Sequence, residues 1–169
     1  MYRPGHYGVT LALSTPVVAP LVAAGHAELA GVFIAFCFAS EPLPDADSLD
    51  SVPLDHRGPT HTIWFALNIG VISAVCSVVA ATFGFPFSPV AGFIVGGVAG
   101  VYGTLTHLLA DVINPMGIAP FWPVSEQRFR VPDPDGLWRA GDLQANQLLM
   151  RVGGLLSTIG AIAVLAVVL

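Results

Sequence analysis

Three long apolar stretches, residues 62–83, 88–112 and 148–169, most strongly limit what this chain can fold into. A helix needs about 20 apolar residues to cross the hydrocarbon core of a bilayer, and each stretch is long enough. Two shorter apolar runs, residues 8–24 and 29–40, precede them. The sequence therefore predicts an all-α fold, a multi-span helical membrane protein with about five apolar segments.

The composition agrees with an integral membrane protein and argues against several other classes. Hydrophobic residues make up 54% of the chain and charged residues only 10%, whereas a soluble domain carries about 25% charged residues. With a net charge of −5 and no lysine, the chain lacks the basic face that a nucleic-acid-binding protein needs. We expect one integral membrane domain over residues 1–169. Cys37 and Cys76 lie in apolar runs and are interpreted as core residues rather than a disulfide.

The first two apolar runs are predicted to form a helical hairpin. Each is shorter than a full span, and Pro16 and Pro20 interrupt the first, so we expect the hairpin to be kinked or tightly packed. A hairpin returns the chain to the side of the membrane on which it began. His6 is therefore expected near the loop of residues 41–61.

Alternating spans place the N-terminus, the 41–61 loop and the 113–145 loop on one side of the membrane. That side receives every arginine of the chain: Arg3, Arg57, Arg128, Arg130, Arg139 and Arg151. Because cytoplasmic loops are enriched in arginine and lysine, it is predicted to face the cytoplasm of a multi-pass cell-membrane protein. His26 and Glu28 fall on the opposite side, where we expect a simple interfacial role.

A polar pair ends the fourth apolar stretch. His107 and Asp111 are four residues apart, so on a helix they share one face. Asn114-Pro115 then stops the helix, since proline cannot continue it and disfavours helical backbone before it. Ionisable side chains at membrane depth are costly and mark functional sites.

Other candidate ligands lie in the 41–61 loop. Asp45 and Asp47, two residues apart, point the same way if that segment is extended. His56 and His61 flank a turn that brings both rings to one centre. Imidazoles and carboxylates bind zinc, manganese or iron, so we predict one or two divalent ions, with zinc favoured. The predicted metal ligands are His6, Asp45, Asp47, His56, His61, His107 and Asp111.

Simpler interpretations exist for each pattern taken alone. An isolated Asp-x-Asp is usually a solvated loop or helix cap, and an isolated His-x3-Asp is often a hydrogen-bonded pair. Their convergence on one membrane face, in a chain with so few charges, favours a metal site. Three further acids, Asp133, Asp135 and Asp142, are interpreted as solvated loop residues.

The remaining motifs are given structural roles. The glycine stripe of the fourth stretch, with small residues at four-residue spacing, indicates close helix packing; its members are Gly92, Gly96, Gly100 and Gly103. Asn146 opens the last helix and is predicted to cap it. Arg128 and Arg130 are interpreted as topology determinants and lipid-headgroup contacts.

Three motifs resemble a known family. They are Leu43-Pro44-Asp45-x-Asp47, His56-Arg57-Gly58-x-Thr60-His61 and His107-x3-Asp111-x2-Asn114-Pro115-x-Gly117. They are similar to the YdjM-like, LexA-regulated bacterial inner-membrane proteins, a family of predicted metal-dependent hydrolases. The resemblance covers nearly the whole chain, although Thr62 stands where the motif commonly has serine. It implies hydrolase activity and places the same seven side chains at the metal site.

The resulting first hypothesis is a metal-dependent hydrolase with a cytoplasm-facing interfacial site. Its substrate is expected to be a membrane lipid or a lipid-linked phosphoester. Asp47 is predicted to act as general base, and Arg57 to stabilise developing negative charge.

Two alternatives use the same ligands without hydrolysis. A metal-ion carrier or sensor would need a polar path through the bilayer. The spans at 62–83 and 148–169 have almost no ionisable groups, which argues against such a path. A non-catalytic membrane scaffold predicts a structural metal whose removal melts the protein.

Overall fold

Five helices account for most of the computed structural model, which describes residues 2–49, 56–132 and 141–168. They are α1 (Arg3–Ala23), α2 (Ala27–Ser40), α3 (Ile63–Thr82), α4 (Pro89–Ile113) and α5 (Leu143–Val168). Two short 3-10 helices, Pro44–Ser48 and Pro59–His61, lie between α2 and α3. The described residues contain no strand, and the predicted all-α fold is confirmed.

All five helices of the described chain are long and apolar enough to cross a membrane, α2 together with the 3-10 helix that follows it. Their outer faces carry large apolar side chains that are more than half exposed, such as Val71, Ile94 and Leu155. A soluble protein rarely exposes so much apolar surface. These faces are suited to contact with lipid, and the prediction of a membrane protein is confirmed.

The expectation that the first segment is too short to span a bilayer is wrong. Helix α1 has 21 residues because it begins at Arg3, before the apolar run, with Pro4 in its first turn. Proline is favoured there because the first turn has no use for its missing N–H. Gly5 and His6 consequently lie on the buried face of a helix rather than in a tail.

The predicted hairpin of α1 and α2 is present. The turn between them contains Gly25 with φ +84°, a backbone conformation that glycine adopts without steric cost. The hairpin brings His6 within 3.6 Å of Glu41, which follows α2 directly. At the opposite end, the exposed His26 and the partly exposed Glu28 lie 3.7 Å apart.

Helices α3 and α4 match the predicted spans to within a residue. Thr62 accepts a hydrogen bond from the Phe65 N–H and Ser88 accepts one from the Ala91 N–H, so both helices have side-chain N-caps. Helix α4 ends at Ile113, directly before Asn114-Pro115, as predicted.

The glycine stripe of α4 packs against two neighbouring helices, as predicted. Gly96 and Gly100 lie against α3, and Gly103 lies against the end of α2. A Cβ atom placed on Gly100 would lie 2.7 Å from Cβ of Ser73 and 2.9 Å from the Ile69 carbonyl oxygen. The close approach of α3 and α4 therefore requires glycine at this position.

Helix α5 begins five residues earlier than its apolar run. Asp142 accepts hydrogen bonds from the Gln144 and Ala145 N–H groups, so it caps α5 and is not merely a solvated acid.

The prediction that Asn146 is the cap is wrong. Asn146 lies inside α5, and its Oδ1 accepts a hydrogen bond from Tyr2 N–H, which fastens the start of α1 to α5. Asp133, Asp135 and Arg139 lie outside the described residues.

We predict that Gly100→Ala destabilises the protein. Overpacking at a close helix contact costs about 1–3 kcal/mol, so the apparent Tm in detergent, followed by circular dichroism, should fall by several degrees.

The matched control is Gly154→Ala in α5, where an added Cβ would meet nothing within 4 Å. This change should be neutral or slightly stabilising, since alanine favours a helix by about 1 kcal/mol over glycine. Equal shifts for the two variants would contradict the packing role of Gly100.

Candidate metal centre

The predicted ligands meet at one end of the helix bundle. His6 comes from the first turns of α1, His107 and Asp111 from the last turns of α4, and the others from the two 3-10 helices and the residues beside them. All seven fall into three overlapping groups, in each of which the ligand atoms lie within 4.8 Å of one another. The groups are His6, His107 and Asp111; Asp45, His61 and His107; and Asp45, Asp47 and His56.

Four of these side chains form a tight inner set. Nε2 of His61 lies 3.3 Å from Oδ2 of Asp111 and 3.7 Å from Oδ1 of Asp45. Nε2 of His107 lies 3.9 Å and 3.5 Å from the same two oxygens. Two ligands bonded at about 2.1 Å to a tetrahedral metal are separated by roughly 3.4 Å, and these four nitrogen–oxygen distances are close to that value.

The ring nitrogens that face this centre lack hydrogen bonds. Nε2 of His6, His61 and His107 is buried and has no hydrogen-bond partner among the described residues. A buried polar atom left unpaired costs free energy, and such atoms call for an explanation. A divalent cation that accepts the lone pair of each nitrogen fits this arrangement.

Acids on the outer side contact Nδ1 of two of the histidines. Oε1 of Glu41 lies 3.3 Å from Nδ1 of His107 in a hydrogen bond. Nδ1 of His61 lies 3.2 Å from Oδ2 of Asp47 and 3.1 Å from Oγ1 of Thr60. A proton held on Nδ1 leaves the lone pair on Nε2, as in the carboxylate–histidine–metal arrangements of many metal sites.

Glu41 is the residue that sequence reasoning missed. It is buried, and besides His107 it approaches Nδ1 of His6 at 3.6 Å. The signal was present in the sequence, because a glutamate directly after the apolar run of α2 resembles Asp111 at the end of α4.

Both carboxylate oxygens of Asp47 already contact other protein groups. Its Oδ2 accepts hydrogen bonds from the Arg57 N–H at 3.0 Å and from the Thr60 hydroxyl at 2.7 Å. Its Oδ1 lies 2.9 Å from Nδ1 of His56. The bond to Arg57 holds that residue at φ +62°, a conformation uncommon for residues other than glycine.

The Arg57 guanidinium is buried beside the inner set. Its Nη2 donates to Oδ1 of Asp111 at 3.1 Å and its Nη1 donates to the Gly117 carbonyl at 3.3 Å. Gly117 has φ +60° and packs closely on the Phe129 backbone. The turn after α4 therefore serves to hold Arg57 against Asp111.

The remaining two histidines lie on either side of the inner set. The His6 ring stacks on the His107 ring with centroids 4.1 Å apart, and its Nε2 lies 3.6 Å from Oδ1 of Asp111. The His56 side chain is 48% exposed, whereas the other three site histidines are buried. His56 therefore lies at the surface of the site.

The charges of the site favour a bound cation. Glu41, Asp47 and Asp111 are buried and Asp45 is partly buried, while the buried Arg57 guanidinium pairs with Asp111. Buried charges need compensating partners. Burial lowers the pKa of His61, but its contacts with Asp111 and Asp45 outweigh this and raise that pKa above its usual value. A nearby excess of negative charge has this effect on a histidine.

A family model described as YdjM inner membrane protein matches residues 1–168. The chain belongs to this family. The match covers all five helices and every residue of the site, and agrees with the resemblance carried by the His-Arg-Gly-x-Thr-His motif. No curated protein and no solved structure matches this YdjM-family chain.

We predict that this YdjM-family protein, when purified, binds a divalent metal in stoichiometric amount. The His107→Ala variant should lose the metal, because one of the four inner ligands is removed. Elemental analysis of the detergent-purified protein measures this. His26→Ala, at the opposite end of the bundle, is the control and should keep full occupancy. Equal metal content in all three proteins, with unchanged helix content by circular dichroism, would refute the site.

A second prediction concerns Glu41. Removing the partner of a metal-binding histidine weakens metal affinity by about 10–100-fold, so Glu41→Ala should show this loss in competition with a chromogenic chelator. Glu41→Gln keeps an acceptor oxygen, so its metal affinity should lie between those of wild type and Glu41→Ala. Glu28→Ala is the control. Unchanged affinity in Glu41→Ala would mean that Glu41 does not orient His107.

Proposed function

We propose that this YdjM-family protein is a metal-dependent hydrolase that acts at the membrane surface on a lipid or lipid-linked phosphoester. The observation that carries the proposal is the convergence on Asp45 and Asp111, at a helix end, of three buried imidazole nitrogens that lack a hydrogen bond within the described residues. Zinc is the favoured metal, since imidazole and carboxylate ligands in a tetrahedral set suit it. Manganese and iron bind the same donors.

The inner set would hold the metal through Asp45, His61, His107 and Asp111. A divalent metal in such a site acts as a Lewis acid and lowers the pKa of water to about 7, which is the chemistry hydrolysis needs. His6, stacked on His107 and close to Asp111, extends the set and is the candidate ligand for a second ion.

Asp47 is assigned a positioning role in place of the ligand and base roles expected from sequence. Both of its oxygens are engaged, Oδ2 by the Arg57 N–H, Thr60 and His61 and Oδ1 by His56. We assign the role of general acid–base group to His56 instead. Asp47 holds Nδ1 of this exposed ring, so Nε2 is left to take a proton from water or to return it to the leaving group.

A polar cavity of about 250 Å³ leads to the site. Its walls include Arg3, His6, Glu41, Asp45 and Ser48. Arg3 lines the cavity and would add its positive charge to that of a bound metal. Arginine pairs well with phosphate oxygens, so an anionic phosphoester is the substrate class that these charges favour.

The carrier alternative receives less support from the structure. Deeper in the bundle, the buried polar groups between α1 and α4 are hydroxyls that already have partners. Thr10 and Thr106 bond each other at 2.8 Å, and Thr104 donates to the Gly100 carbonyl. A conduit for a dication needs a continued line of charged or unpaired ligands.

The orientation is also part of the proposal. The arginines of the described residues lie toward the site end of the bundle, and the positive-inside rule assigns that end to the cytoplasm. A cytoplasmic site suits a lipid substrate taken from the inner leaflet.

The test of the proposal is hydrolysis by metal-loaded protein in lipid nanodiscs, followed as release of phosphate or head group from a panel of lipid phosphoesters. Wild type should turn over at least one of them, and His107→Ala none. His56→Gln should retain metal and lose about 100-fold or more in kcat, the usual contribution of a general acid–base group.

The control variant is His26→Gln, a histidine outside the site. It should match wild type in both metal content and turnover. Metal-loaded wild type without turnover of any phosphoester would refute the hydrolase. Full activity in His56→Gln would remove His56 from the mechanism.

A further inference from the structure

A second cavity lies within the membrane-spanning part of the bundle. It measures about 490 Å³ and is lined by α1, α2 and α5. Apolar side chains form most of its walls, among them Leu11, Val18, Ile34, Phe38 and Val164. We call it the apolar groove.

The few hydroxyls in this groove are occupied by the protein itself. Thr15 donates to the Leu11 carbonyl at 2.8 Å, and Ser14 donates to the same oxygen at 3.2 Å. Ser157 of α5 lies 3.0 Å from the Thr15 hydroxyl. Because these groups already have partners, the groove offers an apolar surface to any occupant.

The groove and the polar cavity lie on the same face of α1. Arg3 lines the polar cavity, while Leu11, Ser14 and Val18 line the groove. With Tyr7 between them, these residues follow the three- and four-residue spacing of one helix face.

The same holds for α2 and the turn that continues it. Ile34 and Phe38 line the groove, while Glu41 and Pro42 line the polar cavity. These positions are again spaced by three or four residues, which places them along one face. The two cavities therefore follow one another along the seam between α1 and α2.

An aromatic pair marks the junction. The rings of Tyr7 and Phe38 lie 6.0 Å apart and tilted by 39°. Tyr7 directly follows His6, and Phe38 precedes Glu41 by less than one helical turn. The polar end of the seam thus contains the metal ligands, and the apolar end begins at this pair.

We propose that the apolar groove binds an acyl chain of an anionic lipid whose head group lies in the polar cavity. This inference rests on the proposed function and narrows its substrate class to phosphoesters that carry a long chain. The chain passes the Tyr7–Phe38 pair and follows the seam, while Arg3 and the metal centre receive the negative head.

The surroundings argue for a lipid chain as the occupant. Every wall of the groove belongs to a helix long and apolar enough to span a membrane. Burial of methylene groups against apolar walls, combined with a cationic group at the head-group end, is the arrangement that an anionic lipid fits.

The test is photo-crosslinking with a phosphatidic acid that carries a diazirine in mid-chain. The His56→Gln protein is used in nanodiscs, so that turnover does not consume the probe. Mass spectrometry should locate the labels on groove residues of α1 and α2. A diacylglycerol with the same chain lacks the phosphate and should label the groove more weakly.

Ala161→Trp places a large side chain in the groove, and Ile162→Trp places the same side chain on a neighbouring position that is 60% exposed. Groove labelling should fall about tenfold or more in Ala161→Trp, because several buried methylene groups are displaced. It should be unchanged in Ile162→Trp.

Two results would overturn the inference: labels spread evenly over all five helices, or equal groove labelling in the two tryptophan variants. A different result would refute the proposed function without refuting the lipid site. Groove labelling by the acidic lipid, together with no hydrolysis in metal-loaded wild type, would refute the hydrolase and retain the lipid site.

Discussion

The structure depends on the electrostatic balance of the buried acids and imidazoles at one end of the bundle. Glu41, Asp47 and Asp111 are buried there with three histidines, and the Arg57 guanidinium pairs with Asp111. Such a cluster at membrane depth is costly unless each charge is paired. Under the proposed function, a divalent cation between Asp45, His61, His107 and Asp111 would complete the pairing and supply the hydrolytic chemistry.

The rest of the bundle brings those groups together. Gly100 and Gly103 let α4 approach α3 and α2 closely, so His107 and Asp111 reach the turns that carry the other ligands. Starting α1 at Arg3 places His6 on a buried helix face instead of in a tail. Glu41 and Asp47 contact Nδ1 of His107 and His61, and the seam of α1 and α2 runs from this cluster toward the apolar groove.

The helices and most of the candidate ligands are predictable from the sequence, because a lipid bilayer restricts which backbone structures and side chains it can contain. Apolar runs of sufficient length must be helices, so α3 and α4 were placed to within a residue. Charged side chains are rare in such a chain, so His107 and Asp111 stood out. The family resemblance, confirmed by the match over residues 1–168, rests on the same polar motifs.

The sequence by itself determined the helical class, the membrane location and the candidate ligands, because hydropathy and the scarcity of charge are local properties. Only the tertiary structure separated the roles within the cluster. It showed Asp47 engaged with Arg57, Thr60 and His56, and it brought Glu41 to His107 across 66 residues. It also corrected the starts of α1 and α5, which depend on Pro4 and Asp142 rather than on hydropathy. Orientation and partner choice arise from packing between distant segments, which spacing along the chain does not encode.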